Sequence, residues 1–313
     1  MIFSLFLLAA GAVLLVKGAD MLVDGGVGIA LRSGVSPLVV GLTIVAFGTS
    51  APELTVSLTA AFNGSVDLCF GNVVGSNIAN IALILGVTAL LSPVAVNKNL
   101  IKWEIPFMLI ISAITLYVGY TRVAGLIIGI LFLSLFAYYI FHCFKSNTET
   151  PEVDENKSHK SYTVLIFMVL VGIIGLALGG KLFVDGAKKI ATLLGVSEAV
   201  IALTVVAFGT SLPELFTSVI ASFRKQSDIS LGNIVGSNIF NILLVLGATA
   251  TIRPFEISTD PYMDYVGLPF MMIAAFLLVP FALAGRTISR IEGAVFLILY
   301  CISIALAVFI TGM

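Results

Sequence analysis

The sequence repeats itself at a constant offset, and this duplication limits the folds that the chain can adopt. Residues 48–53 read Gly-Thr-Ser-Ala-Pro-Glu, and residues 209–214, 161 positions later, read Gly-Thr-Ser-Leu-Pro-Glu. The tetrapeptide Gly-Ser-Asn-Ile recurs at the same offset, at residues 75–78 and 236–239. Duplication at one spacing predicts two equivalent halves, each of which brings one copy of every motif to the fold.

Composition places both halves in a membrane. Of the 313 residues, 59% are hydrophobic and 11% are charged, and the mean hydropathy is +1.14. The apolar stretches have the length, roughly 20 residues, that a helix needs to cross a bilayer. We therefore predict an all-α integral membrane protein with about ten transmembrane helices, arranged as two inverted-topology five-helix repeats. The predicted spans are 3–25, 38–62, 70–92, 101–119, 123–144, 163–186, 198–222, 230–252, 263–284 and 289–311.

A short polar segment separates the two halves. We predict a first five-helix repeat over residues 1–144, a polar linker over 145–161 and a second five-helix repeat over 162–313. Because each half has an odd number of spans, the second half enters the membrane from the opposite side. The positive-inside rule places the side richer in Lys and Arg in the cytoplasm, so the linker is cytoplasmic and both termini are extracellular. The basic residues on the cytoplasmic side are Arg32, Lys98, Lys102, Lys145, Lys157, Lys160, Arg224, Lys225, Arg286 and Arg290, and those on the other side are Arg122, Lys188, Lys189 and Arg253.

Charge, cysteines and motifs argue against several classes of function. The net charge of −1 provides no polybasic surface for nucleic acid. The three cysteines are scattered, without the spacing of a zinc site or a disulfide framework. No nucleophile–base pair or cofactor-binding loop is apparent, so we predict neither an enzyme nor a cofactor. The apolar N-terminal segment lacks the basic region of a signal peptide and is predicted to be the first span.

Two carboxylates occupy positions that are costly in a membrane. Glu53 and Glu214 are the acidic residues near the middle of apolar segments, and such residues usually mark a functional site. Pro52 and Pro213 have no N–H, so carbonyls one turn earlier lose their helical partners, and a bound cation can replace them. A single Gly/Ser/Thr/Pro cluster would more simply be a kink or a packing seam. The second copy, with its own glutamate, favours a cation site.

The second repeated motif adds further oxygen ligands. Ser76 and Asn80 are four residues apart and share one helix face, as do Ser237 and Asn241. Ca²⁺ and Na⁺ prefer such an all-oxygen set. Two ionised carboxylates carry a charge of −2, which one Ca²⁺ or two Na⁺ neutralise. Alternatively, the two asparagines link helices through hydrogen bonds.

These motifs resemble those of the sodium/calcium exchanger family, within the calcium/cation antiporter superfamily, in its prokaryotic type without a large cytoplasmic regulatory domain. The signature repeats correspond to residues of about 37–85 and 198–246. The resemblance implies antiport of Na⁺ against Ca²⁺ by alternating access at a midplane site, with spans 1 and 6 sliding across the other eight. It implies these ligands: for Ca²⁺, Glu53, Glu214 and the carbonyls of Thr49 and Thr210; for one Na⁺, the Ala46 carbonyl, Ser50 and Ser237; for another Na⁺, the Ala207 carbonyl, Ser211 and Ser76; and at the centre, Asn80 and Asn241.

Three alternatives remain open at this stage. The coupling ion could be H⁺, with Glu53 and Glu214 titrating, or transport could depend on K⁺ as well as Na⁺. Several family members that this chain resembles, especially potassium-dependent ones, carry Asp where it has Asn241, which disfavours that alternative. A passive Ca²⁺ channel is the third, although inverted repeats with broken helices are typical of transporters. We expect a multi-pass plasma-membrane protein that functions as a monomer, with Ca²⁺ and Na⁺ as transported substrates.

Overall fold

The structure, a computed structural model, describes residues 1–146, 160–194 and 207–311, and most of these residues are helical. Eight of the described helices are long and apolar enough to cross a bilayer, and a pair bent by 45° forms a ninth candidate span. The bent pair is α2 and α3. The helices are α1 (Ile2–Ser33), α2 (Pro37–Thr49), α3 (Ala51–Phe62), α4 (Asp67–Leu91), α5 (Leu100–Thr121), α6 (Leu126–Lys145), α7 (Tyr162–Leu193), α8 (Ala207–Gly209), α9 (Leu212–Phe223), α10 (Ser227–Ile252), α11 (Met263–Leu283) and α12 (Arg290–Ile310).

The helical membrane architecture confirms the predicted fold class, but α1 and α7 continue beyond their predicted ends, and α7 ends at Leu193 and not at residue 186. Helix α1 continues to Ser33, beyond the predicted end at residue 25, and stops where Gly34 adopts a left-handed φ of 69°. Hydropathy marks the apolar part of a helix only, whereas a left-handed glycine marks its end. The predicted seventh span, 198–222, begins outside the described residues, and its described part comprises α8 and α9. Most of the predicted linker, residues 147–159, also lies outside them.

Helices α1 and α7 pack with their backbones in contact. Glycines recur every seventh residue on both helices, and each glycine faces the backbone of the other helix. A Cβ atom at Gly18 would lie 2.8 Å from the backbone nitrogen of Leu176, and one at Gly179 would lie 2.8 Å from that of Leu15. Close approach through small residues is the usual basis of helix association in lipid. The interface glycines are Gly11, Gly18 and Gly25 on α1 and Gly172, Gly179 and Gly186 on α7.

Short π-helical segments interrupt three of the helices that carry the repeated motifs. They cover Gly41–Val45 in α2, Ala79–Leu85 in α4 and Asn241–Leu246 in α10. The last two segments occupy equivalent positions of the two halves. Such bulges widen the helix and occur frequently at functional sites. In α2, the Tyr139 hydroxyl donates to the Leu42 carbonyl at 3.2 Å and so satisfies a group within the bulge.

In the part of the chain that the structure describes, four two-residue strands join the two halves at the loops. They are β1 (Val94–Ala95), β2 (Val123–Ala124), β3 (Phe255–Glu256) and β4 (Thr287–Ile288). Strand β1 pairs antiparallel with β4, with Val94 opposite Ile288, and β2 pairs antiparallel with β3, with Val123 opposite Glu256. Strands β1 and β3 are 161 residues apart and equivalent in the duplication, so exchanging the halves exchanges the two pairs.

Polar contacts between residues of helices and loops fall into the same two groups as the strand pairs. At the end of the molecule that holds β1 and β4, Arg32 donates to the Lys160 carbonyl, Asn97 contacts Asp228, and Arg224 pairs with Asp20 and Asp24. At the end that holds β2 and β3, Asp67 accepts from Ser258, Arg122 pairs with Asp264, and Arg253 donates to the Ala61 carbonyl. Between these ends, α10 and α4 are the most buried of the candidate spans and form the centre of the bundle.

Candidate ion-binding site

Both copies of the Gly-Thr-Ser-x-Pro-Glu motif form a break between two helices. In the first half, α2 ends at Thr49 and α3 begins at Ala51, with Ser50 between them at φ −83° and ψ 3°. In the second half, Ser211 adopts nearly the same conformation, at φ −89° and ψ 4°, before α9. Proline at the second position of each following helix needs no hydrogen-bond acceptor and fits that position. The helix breaks predicted from the prolines are therefore present in both halves.

The two carboxylates lie in the first turns of α3 and α9 and are both buried. Glu53 and Glu214 are each 1% exposed. The position favours an anion, because the free N–H groups of a helix N-terminus carry partial positive charge. Glu214 Oε1 accepts a hydrogen bond from Ser50 Oγ at 3.2 Å. Glu53 lies close enough to Glu214 for their charges to interact. Each carboxylate is thus placed against the motif of the opposite half.

Thr49 connects the first motif to α10. Its hydroxyl donates to Asn233 Oδ1 at 2.9 Å and lies 3.4 Å from Ser237 Oγ and 3.3 Å from the Ala46 carbonyl. The Ala46 carbonyl also accepts the Ser50 N–H at 3.0 Å. The orientation of the Ala46 carbonyl oxygen is therefore fixed by hydrogen bonds within its own turn.

The central asparagines differ in their surroundings although they are equivalent in sequence. Asn241 Nδ2 donates to Asn77 Oδ1 at 3.2 Å, which links α10 to α4. Asn80, 1% exposed, has no hydrogen-bond partner for either polar atom of its side chain. The Asn241 nitrogen therefore links two helices, as the structural alternative predicts, while its oxygen is free to bind an ion. In Asn80, neither the side-chain oxygen nor the nitrogen has a hydrogen-bond partner.

Several buried oxygens of the site lack partners, and buried polar groups rarely do. Ser76 on α4 and Ser237 on α10 are also buried, and Ser237 Oγ lies 3.4 Å from Thr49 Oγ1. The described residues contain no group of three or more His, Cys, Asp or Glu side chains, so any cation here would be held by two carboxylates and neutral oxygens. Such a donor set suits a hard cation. The unpartnered oxygens are Glu53 Oε1 and Oε2, Glu214 Oε2, Asn80 Oδ1, Asn241 Oδ1, Thr210 Oγ1 and Ser211 Oγ.

The structure brings most of the predicted site residues into one buried region formed by both halves. Ala207 is the first residue of α8, and the residues before it lie outside the described part of the chain. Glu104, near the start of α5, has a side chain that is 1% exposed in the packed bundle. Hydropathy gives the depth of a residue along a span only roughly, and burial depends on which neighbours cover it.

Comparison with known proteins identifies the family. The profile described as sodium/calcium exchanger protein matches residues 3–145 and again residues 164–309. The chain belongs to the sodium/calcium exchanger family. A putative antiporter of Alkalimonas amylolytica is 39% identical over 324 residues, covering 96% of this chain and 97% of the relative. A sodium/calcium exchanger of Methanosarcina acetivorans is 32% identical over 339 residues, covering 95% and 96%. The structure of the sodium/calcium exchanger from Methanococcus jannaschii matches with a TM-score of 0.85 and 36% identity, covering 97% of this chain and 98% of that one.

The family assignment confirms the resemblance that the two motifs predicted. The ligand roles of individual residues stay predictions, as does the count of ten spans. The exchanger also contains two site-adjacent residues whose role the sequence analysis missed, Asn72 and Asn233. Asn72 Nδ2 donates to Ser57 Oγ at 3.0 Å and to the Glu53 carbonyl at 3.4 Å. Asn233 makes the same two contacts in the second half, and its partners are Ser218 Oγ at 3.0 Å and the Glu214 carbonyl at 3.4 Å.

A sequence signal for these two asparagines exists. Gly-Asn occurs at residues 71–72 and again at 232–233, at the offset of the duplication. Identity between the halves at a polar position inside an apolar helix could have marked both residues as important. It could not have identified their partners, because these lie on a different helix.

Proposed function

We propose that this chain is a secondary active antiporter that exchanges Na⁺ for Ca²⁺ by alternating access at a site near the membrane midplane. The observation that carries the proposal is the pair of buried glutamates, one from each half, surrounded by oxygens without partners. An empty site of charge −2 in a low-dielectric region is costly, whereas one Ca²⁺ or a set of Na⁺ matches its charge. If the transporter can change conformation only when this site is occupied, the transport of Ca²⁺ is coupled to the transport of Na⁺.

In this proposal the ligands divide as follows. Glu53 and Glu214 bind Ca²⁺ with their carboxylates, together with the carbonyls of Thr49 and Thr210. Na⁺ binds beside these carboxylates, at two sites formed by neutral oxygens. One Na⁺ site comprises the Ala46 carbonyl, Ser50 and Ser237, and the other comprises the Ala207 carbonyl, Ser211 and Ser76. Asn80 and Asn241 line the centre, and the transported ions are the only ones required, without a cofactor.

Imposed ion gradients distinguish this function from its alternatives. In proteoliposomes, we expect an outward Na⁺ gradient to drive uphill Ca²⁺ uptake, and K⁺ or H⁺ gradients alone to drive none. Both central amides are neutral, so the site has no third carboxylate for K⁺, and in this proposal Glu53 and Glu214 exchange Ca²⁺ for Na⁺ and not for protons. Uptake of radioactive Ca²⁺ under each gradient separately is the measurement. Uptake driven by a pH gradient in Na⁺-free buffer would instead indicate Ca²⁺/H⁺ exchange, and flux that never exceeds equilibrium would indicate a channel.

We propose a plasma-membrane topology with both termini outside and inverted five-helix halves at 1–144 and 162–313. The strand pairs support it, because paired strands must lie on the same side of the membrane. Between β2 and β3 the chain passes through α6, α7 and α10. Three crossings alone would separate these paired strands, so their pairing supports a further crossing of the chain between α7 and α10 and, with it, the proposed ten spans. The monomer contains both halves of the site and is proposed to be the functional unit.

Cysteine labelling tests this topology. In a Cys301→Ser background, in which the native Cys69 and Cys143 are buried, we expect Glu256→Cys to react with a membrane-impermeant maleimide on intact cells. Lys98→Cys should react only after the membrane is permeabilised, since it is exposed in the loop next to β1. The opposite pattern would invert the orientation, and equal labelling of both sites on intact cells would contradict the inverted repeat.

A further inference from the structure

The two half-sites are equivalent in sequence but make different hydrogen bonds. Thr49 Oγ1 donates to Asn233 Oδ1 at 2.9 Å, across the boundary between the halves. The equivalent bond of the other half would join Thr210 to Asn72. Thr210 Oγ1 is buried, yet it has no hydrogen-bond partner.

The asparagines are not the origin of this difference. In both halves the side-chain nitrogen makes the same pair of contacts, to a serine hydroxyl at 3.0 Å and to a glutamate carbonyl at 3.4 Å. A carboxamide whose nitrogen is held in this way has a fixed orientation, and its oxygen points away from the serine. Asn233 Oδ1 accepts the hydrogen bond of Thr49 from the opposite half, whereas Asn72, held by the same two contacts of its nitrogen, receives none from Thr210.

The difference lies in the backbone of the two threonines. The N–H of Ser50 donates to the Ala46 carbonyl, four residues earlier, so that Thr49 belongs to an α-helical turn. The N–H of Ser211 donates to the Phe208 carbonyl, three residues earlier, which tightens the last turn around Thr210. A change from α-helical to 3₁₀ geometry rotates the side chains of the last turn relative to the helix axis. The two copies of the motif thus have nearly the same sequence but different backbone conformations at the turn that contains the threonine.

We infer that Asn233 and Asn72 are positioning residues that hold Thr49 and Thr210 in alternation during transport. The Thr49–Asn233 bond belongs to the state described here, and in the state open to the opposite side it is replaced by a Thr210–Asn72 bond. The inference rests on the proposed alternating access, in which the two inverted halves exchange conformations. It extends that function by assigning the exchange to one hydrogen bond in each half.

This arrangement links the state of the transporter to its ligands. Asn233 holds the backbone of Glu214 and the side chain of Ser218, and in the present state it also holds Thr49, whose carbonyl is a proposed Ca²⁺ ligand. Breaking the bond releases Thr49 from the Glu214 segment. Forming its counterpart would attach Thr210 to the Glu53 segment through Asn72. Each state therefore fixes one threonine and releases the other.

Replacing each threonine by valine tests the inference, because valine has the same shape and keeps the backbone carbonyl but loses the hydroxyl. The readout is the half-saturating Ca²⁺ concentration measured separately from each side, in vesicles of known orientation. The apparent affinity for Ca²⁺ on one side of the membrane decreases when a smaller fraction of the molecules is open to that side. We expect Thr49→Val and Thr210→Val to shift the ratio of the two affinities in opposite directions, each by roughly fivefold, the equilibrium effect of one neutral hydrogen bond. The double variant should return the ratio to near the wild-type value.

The control is Thr55→Val, which removes a hydroxyl that bonds only to the Ala51 carbonyl on the exposed side of α3 and should leave the ratio unchanged. Shifts of both variants in the same direction, or no shift in either, would overturn the inference, since a purely structural role affects both sides alike. The wild-type protein provides the separate check on the proposed function. If it shows no Na⁺-driven Ca²⁺ uptake, the function fails. If uptake is normal and the ratio does not respond, only the alternation fails.

Discussion

Glu53→Gln and Glu214→Gln should each abolish Na⁺-driven Ca²⁺ uptake. Both side chains are 1% exposed, so water cannot replace the lost charge. Each substitution leaves a single carboxylate facing a divalent cation and adds an amide N–H₂ group that repels it. Removing one partner of a buried charge interaction costs about 3–5 kcal/mol, which corresponds to a loss of affinity of roughly a hundredfold or more.

Radioactive Ca²⁺ uptake into proteoliposomes under an outward Na⁺ gradient is the measurement. Glu256→Gln is the matched control, because it makes the same chemical change at an exposed position of β3 and should keep normal uptake. Thermal unfolding of the purified variants establishes that loss of uptake is not loss of fold. Uptake by either buried-site variant within about twofold of the wild type would remove that glutamate from the ion site.

Gly179→Ala should destabilise the protein, whereas Gly180→Ala should not. A Cβ atom at Gly179 would lie 2.8 Å from the Leu15 nitrogen and 3.0 Å from the Gly11 oxygen, both backbone atoms of α1. The two helices would have to separate along their length to accommodate it. At Gly180 the nearest atom, the Gly209 carbonyl oxygen, would be 3.7 Å away, which is an ordinary contact. Overpacking of a close interface typically costs about 1–3 kcal/mol.

The comparison is well matched, because both changes add one methyl group to adjacent residues of the same helix. We expect a clear decrease in the melting temperature of detergent-solubilised Gly179→Ala and little change for Gly180→Ala. Equal shifts in the two variants would show that the α1–α7 interface tolerates separation. Because the resemblance implies that these two helices move together, the outcome also bears on whether they can act as one unit.

The sequence predicted the features that depend on local patterns. The break at Ser50 and its copy at Ser211 followed from glycine and proline, since these residues act on their own turn of the backbone. The burial of Glu53 and Glu214 followed from the length of the surrounding apolar segments. It did not predict the end of α1 at Ser33, because an apolar pattern can stop before its helix does.

Contacts between the two halves could not be predicted from the sequence. The repeated Gly-Asn pair was visible, but the bond from Thr49 to Asn233 joins residues 184 positions apart. Its absence at Thr210 could not be expected from two motifs with nearly the same sequence. Glu104 likewise became a buried residue only once the neighbouring helices covered it.

By itself, then, the duplicated sequence determined that two halves each bring a broken helix and a carboxylate into the membrane, because hydropathy and backbone-breaking residues act locally. Only the tertiary structure decided how those halves meet. Two nearly identical motifs adopt different turns in the folded protein, so that Thr49 donates to Asn233 while Thr210 Oγ1 has no hydrogen-bond partner. Packing between distant segments, which no local pattern encodes, makes the two copies unequal.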